Sequence, residues 1–179
     1  KDLEDVLDKV RKDLERSKKH SDDVVKTIRE LLKESEKHSE ELVKRVEKLL
    51  EELRRMTTRG DAREEKVDRV LEEVDKLLKE NRDESRRVKD EVRKLAKRNR
   101  DVSKELLDRV KEEIERLRRR GVDESILREL ERRVKKVVEE NDEITRRVER
   151  EVEKVDKKNK DITDTLRTRV KKAVDEARK

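Results

Sequence analysis

Three residues near the start of the chain have the side chains of a nucleophile, a base and an orienting acid: Ser17, His20 and Asp22. Nucleophilic catalysis needs a base within hydrogen-bond reach of the nucleophile and a third group that holds the base. On a helix Ser17 and His20 share a face, but Asp22 projects about 200° around the axis from His20. Asp22 therefore cannot orient the imidazole, and close-packed helices offer no substrate cleft. The sequence predicts no enzyme.

The two histidines, His20 and His38, are the first candidates for metal ligands in a chain without cysteine. A zinc ion needs three or four ligands around one point. The histidines would lie about 27 Å apart along one helix, so they cannot bind the same ion. We therefore expect no metal and no cofactor, and the lack of cysteine leaves no redox clue to a compartment.

Polar residues recur at a spacing of 18 along three otherwise apolar stripes. The imidazole and carboxamide pairs are His20 and His38, Asn81 and Asn99, and Asn141 and Asn159. Hydroxyl residues repeat beside them: Ser17 and Ser35, Ser21 and Ser39, Ser85 and Ser103, and Thr145 and Thr163. Five turns of an unstrained α-helix take 18 residues, so both members of a pair face the same way. The pattern specifies an architecture and not a reaction.

Composition supports long helices. Charged residues make up 59% and hydrophobic residues 28% of the 179 positions, and aromatic residues, proline and cysteine are absent. Disorder would scatter the apolar residues, whereas Leu, Val and Ile here follow a helical period.

The net charge of +6 does not indicate a nucleic-acid partner, because acidic and basic residues alternate along each helix. The densest basic run, 116–120, falls in the last turn of a predicted helix, where cations complement the helix dipole. No stretch approaches the roughly 18 apolar residues of a membrane span, and no signal peptide is visible. We expect no membrane or nucleic-acid partner and a soluble chain, cytoplasmic in an expression host, with no natural location.

Two glycines divide the chain. Gly60 and Gly121 suit the left-handed position after a helix, and Asp61 and Asp123 follow them as N-caps, Asp61 with Glu64 in a capping box. The predicted helices are near residues 2–58, 61–119 and 123–178. Short loops make neighbours antiparallel, so the expected fold is all-α, a straight antiparallel up-down-up three-helix bundle in a single domain, 1–179.

Residue numbers predict which polar positions meet. Antiparallel partners at equal height have numbers with a constant sum, about 120 across the first loop and about 241 across the second. Both His–Asn pairs add to 119 and both Asn–Asn pairs to 240. The predicted layers are His20, Asn99 and Asn141 with Ser17, Ser103 and Thr145, and His38, Asn81 and Asn159 with Ser35, Ser85 and Thr163.

Such layers would fix helix register. A buried polar group without a partner costs roughly 1–3 kcal/mol, so registers that face Asn with Leu are penalised. An uncharged layer also disfavours protonated imidazole, which predicts a loss of stability in mild acid.

The chain resembles de novo designed helical bundles, namely untwisted three-helix bundles with repeated buried hydrogen-bond networks. The resemblance rests on the 18-residue repeat, the charged surface, the single-glycine loops with Asp caps and the lack of aromatic residues. It implies a structural scaffold without substrate, cofactor or required partner, with a monomer favoured. The alternative is a designed interaction or oligomerisation component, pH-responsive through His20 and His38.

Overall fold

Three α-helices make up most of the chain in the computed structural model, which describes residues 3–179. They are α1 (Leu3–Thr58), α2 (Glu64–Arg119) and α3 (Glu124–Ala177), and no strand occurs within this range. The all-α prediction is confirmed, with helix ends within three residues of those expected. Asp2, the predicted first helical residue, lies outside the described residues.

Glycine ends the first two helices. Gly60 has a φ of 67° and Gly121 a φ of 77°, the left-handed region that costs other residues energy. After α1 the Asp61 N–H donates to the Met56 carbonyl at 2.9 Å, and the Gly60 N–H donates to the Thr57 carbonyl at 3.2 Å. The same two bonds recur at Gly121. This pairing is the Schellman motif, which satisfies carbonyls that a helix end leaves open.

The two predicted N-caps differ in outcome. The Asp123 carboxylate accepts the backbone N–H of Ser125 at 3.0 Å, so the cap of α3 is confirmed. The cap predicted at Asp61 is wrong, because α2 begins only at Glu64. The Asp61 carboxylate instead accepts a hydrogen bond from Lys66 Nζ at 2.8 Å.

The chain divides into two compact units, and every helix contributes to both. Unit 1 comprises residues 3–30 and 91–151. Its helices are antiparallel neighbours, since Ser17 and Ser21 of α1 contact Ser103 and Asn99 of α2 in reverse order. Its apolar core consists of Val6, Val10, Leu14, Leu107, Val110, Ile114, Leu117, Leu127, Leu130 and Val134.

Unit 2 comprises residues 31–90 and 152–179. Its core consists of Leu42, Val46, Leu50, Leu53, Val67, Val70, Val74, Leu77, Leu78, Leu166, Val170, Ala173 and Val174. Aliphatic side chains at helical spacing thus supply the main burial in each unit, and burying one such side chain stabilises a fold by about 1.5–3 kcal/mol.

Charged residues cover the outward faces of the helices. Many form ion pairs one turn apart, such as Arg55 with Glu51 at 2.8 Å. With charges this frequent, no helix within residues 3–179 has a stretch long and apolar enough to cross a membrane.

Candidate functional site

The polar interior is the one feature that apolar packing does not explain. The buried polar side chains of the described residues are amides and hydroxyls: Ser17, Ser21, Ser35, Asn81, Ser85, Asn99, Ser103, Asn141, Asn159, Thr145 and Thr163. Buried groups of this kind need hydrogen-bond partners. Their partners therefore define the site.

One cluster in unit 1 is centred on Asn141 of α3. Its amide nitrogen donates to Ser17 Oγ on α1 at 3.0 Å and to Ser103 Oγ on α2 at 3.1 Å. The two serine oxygens lie 3.3 Å apart and form a hydrogen bond with each other. A single carboxamide thus links all three helices.

A second cluster in unit 1 is centred on Asn99 of α2. Its amide nitrogen donates to Ser21 Oγ at 3.0 Å and to Thr145 Oγ1 at 3.3 Å. Thr145 Oγ1 in turn donates to the backbone carbonyl of Asn141 at 2.7 Å, which joins the clusters. The single predicted layer is thus two levels one helical turn apart, with one Asn and two hydroxyls in each.

Unit 2 connects the equivalent residues differently. The amide nitrogen of Asn159 donates to Asn81 Oδ1 at 2.9 Å and to Ser39 Oγ at 3.1 Å. Asn81 donates onward to Thr163 Oγ1 at 3.1 Å, and Thr163 Oγ1 donates to the Asn159 carbonyl at 2.9 Å. The two amides are therefore bonded to each other here.

Charged side chains extend the unit 2 network. Arg82 Nη1 donates to Asn159 Oδ1 at 3.0 Å and to Asp156 Oδ1 at 3.1 Å. The same carboxylate accepts Ser85 Oγ at 2.9 Å and Lys89 Nζ at 3.3 Å. The Arg82 and Asp156 side chains are only 14% and 15% exposed, so this ion pair is largely shielded from solvent.

The environment of Asp156 favours its ionised form. Burial alone would raise the pKa of this carboxyl. The hydrogen bonds from Ser85 and Lys89, with the positive charges of Arg82 and Lys89, outweigh that effect and hold the pKa of Asp156 below its usual range. The cluster therefore contains a carboxylate at neutral pH.

Neither predicted imidazole takes part in these networks, which corrects the sequence interpretation. The His38 side chain is 40% exposed and lies 4.0 Å from Glu80 on the surface. His20 is half-buried, and its Nε2 has no hydrogen-bond partner within residues 3–179. The residue after each histidine, Ser21 or Ser39, instead reaches the amides, because one step along a helix rotates the side chain by about 100°.

Ser35 is buried but forms no side-chain hydrogen bond among the described residues. It borders a cavity of about 70 Å³ that Ser39 and Asn159 also line. In unit 1 the equivalent serine, Ser17, accepts a hydrogen bond from the amide nitrogen of Asn141. In unit 2 the Asn159 amide donates to Ser39 and Asn81 and not to Ser35.

The chemistry available is hydrogen bonding. The Ser17 hydroxyl bonds to Ser103 and Asn141, and neither partner is a base. Across residues 3–179 no group of three acidic, His or Cys side chains is placed to hold a metal ion. The sequence interpretation missed Asp156, Arg82 and Lys89, although Asp156 and Lys89 break the 18-residue repeat at positions that are apolar in unit 1.

No protein-family model matches the chain. No curated protein matches it either. A solved structure described as a "Computationally designed three helix bundle" superposes on 98% of this chain and 88% of its own, with a TM-score of 0.63 and 12% sequence identity. The fold is therefore that of a three-helix bundle.

Proposed function

We propose that this chain is a designed structural scaffold whose buried amide and hydroxyl networks select how its three helices pair. The observation that carries the proposal is the Asn141 amide, which donates from α3 to a hydroxyl on each of the other helices. Correct bonding there requires both neighbours to be in place at once. The likeness to a chain described as computationally designed supports the designed origin.

Alternative arrangements of the helices would break these hydrogen bonds. An Asn turned against Leu or Val loses its partners at a cost of roughly 1–3 kcal/mol. Short loops at Gly60 and Gly121 already limit slippage within one chain. The penalty therefore acts mainly on helix rotation and on pairing between chains, where no loop constrains the register. The networks contribute specificity and little net stability.

A scaffold without catalytic activity is consistent with how the polar atoms are used. The hydroxyls of Ser17, Ser21 and Ser103 all accept hydrogen bonds from amides. Catalysis would need a hydroxyl activated by a base. His20 is the nearest candidate in sequence, and in the part of the chain that the structure describes its Nε2 forms no hydrogen bond.

The second candidate is an interaction component that adds a helix or a further copy of the chain. It is favoured by an open groove in unit 2 where Val43, Ile162 and Leu166 lie between charged residues such as Lys154 and Arg169. A partner helix with aliphatic residues could cover this groove.

Light scattering of the purified chain separates the scaffold from a component that binds a further copy of itself. A mass of 21.7 kDa at all concentrations supports the scaffold, and a stable multiple of that mass supports the interaction component.

The role of the networks is tested by replacing all four amides with leucine: Asn81, Asn99, Asn141 and Asn159. The remaining hydroxyls can bond to carbonyls of their own helices. We expect an unchanged or higher urea midpoint together with mixed oligomers. A variant that stays a single monomeric species would show that the networks do not provide specificity.

A further inference from the structure

The two units differ at a pair of positions that the 18-residue repeat makes equivalent. In unit 1 these positions are Leu107 on α2, part of the apolar core, and Val138 on α3, packed against that core. In unit 2 they are Lys89 and Asp156, whose side chains form an ion pair at 3.3 Å. Two apolar residues of unit 1 are thus replaced by an ion pair in unit 2.

The ionic contact is coupled to the amide network through Arg82. The same guanidinium nitrogen, Nη1, donates to Asp156 Oδ1 and to Asn159 Oδ1. With its oxygen held by Arg82, Asn159 directs its nitrogen to Ser39 and Asn81. In unit 1, Asn141 donates instead to the two serines of its own level.

We infer that Asp156 is an electrostatic latch of unit 2. Its ionised carboxylate holds Arg82 and Lys89 and thereby fixes the Asn159 network, and its protonation in acid releases that network. In unit 1 the equivalent of Arg82 is Arg100, which pairs with Glu149. Because the unit 1 clusters themselves consist of neutral side chains, they should keep their hydrogen bonds under the same conditions.

The charged neighbours of Asp156 are on two helices. From α2 it faces Arg82 and Lys89. On its own helix, Glu153 lies 3.1 Å from Lys89 Nζ and shares that cation. From α1 no charged side chain forms an ion pair with Asp156 within residues 3–179, and Glu36 and Glu40 line the cavity beside Asn159. Two cations therefore hold the carboxylate in place.

The direction of the effect of acid on stability depends on whether the folded or the unfolded chain binds the proton at the higher pH. The pKa of Asp156 in the folded chain is lower than its usual value of 3.8, so the unfolded chain takes up the proton before the folded one. The contribution of the latch is complete above that usual value and is lost as the pH falls through the lower folded pKa.

Amide hydrogen exchange of the full chain, corrected for intrinsic rates, tests the latch between about pH 6 and about pH 2.5. On acidification, protection around Asn81 and Asn159 should fall about tenfold more than protection around Asn99 and Asn141. A tenfold change in protection is near the low end of the effect expected when a hydrogen bond to a charged group is lost. Equal loss of protection in both units would overturn the inference.

Three variants test whether Asp156 is the carboxylate that causes the acid effect. Asp156→Asn should lose unit 2 protection at neutral pH and show no further difference between units in acid. The control Asp161→Asn removes an exposed charge on the same helix and should behave as the parent chain. Asp156→Val with Lys89→Leu installs the unit 1 residues and should restore protection at every pH. If Asp156→Asn keeps the acid-dependent difference, or if the double variant does, the latch is excluded.

Discussion

Asn159 donates a hydrogen bond to the side-chain oxygen of Asn81 at 2.9 Å, whereas the side-chain oxygen of Asn99, the equivalent acceptor in unit 1, is buried with no partner among the described residues. The two units thus reach different hydrogen-bond patterns from the same amides and hydroxyls. In unit 2 the side-chain oxygen of Asn159 accepts a hydrogen bond from Arg82, and its side-chain nitrogen donates to Asn81 and Ser39.

Alanine substitutions at the two equivalent amides of α3 should have unequal effects. Asn141→Ala removes two bonds to serines that can still pair with each other, and we expect a loss of about 1–3 kcal/mol. Asn159→Ala removes the bonds to Ser39 and Asn81 and the acceptor of Arg82, so its loss should be larger. Urea denaturation at neutral pH measures both, and equal losses would contradict the difference between the networks.

The serine after each histidine should matter more than the histidine. Ser21→Ala leaves the Asn99 amide with Thr145 as its one side-chain acceptor and should cost about 1 kcal/mol. His38→Gln changes a half-exposed side chain and should stay within about 0.5 kcal/mol. Thermal or urea unfolding compares them directly. A larger loss of stability for His38→Gln than for Ser21→Ala would show that the imidazole contributes to the network.

The two aspartates after the glycines give a matched test of helix capping. Asp123→Ala removes the acceptor of the Ser125 N–H and should cost about 1 kcal/mol. Asp61→Ala should cost less, because Asp61 precedes α2 by three residues and bonds to Lys66 instead of a backbone N–H. A greater loss at Asp61 in denaturant titration would place the cap where the sequence predicted it.

Glu84 should titrate below an ordinary glutamate. The hydrogen bond from Arg87 lowers the pKa of Glu84 and outweighs the opposing effect of burial. Its contribution to stability is therefore present above the usual value of 4.5 and is lost as the pH falls through the lower folded pKa. Carboxyl NMR titration measures it, and Arg87→Gln should raise the pKa. An unchanged titration curve in that variant would exclude Arg87 as the cause.

The helices could be predicted from sequence because their signals are local. The 3.6-residue apolar period places three helices, and Gly60 and Gly121 end the first two in the expected conformation. Asp61 is not the cap because α2 begins only at Glu64, and its carboxylate contacts Lys66 instead. Such a contact depends on the path of the loop, which residue types do not determine.

The polar contacts could be predicted only in part. A constant sum of residue numbers gives the position of a side chain along the helix axis and not its rotation about that axis. It placed Asn99 and Asn141 in one layer, while the structure separates them by one turn and pairs each with hydroxyls. It also chose His20 over Ser21, which is fully buried. Asp156 was missed because charged residues are frequent along every helix. It differs from its neighbours only when it is compared with Val138, the residue 18 positions earlier.

The most direct test of the networks is the exchange of side-chain amide protons in a ¹⁵N-labelled chain. The sequence contains four Asn and no Gln, so every carboxamide signal reports one of the proposed network residues. We predict four well-dispersed pairs of amide protons that exchange with water at least about tenfold more slowly than a free carboxamide. Four overlapping pairs that exchange at the free rate would show that the amides face solvent and would contradict the account.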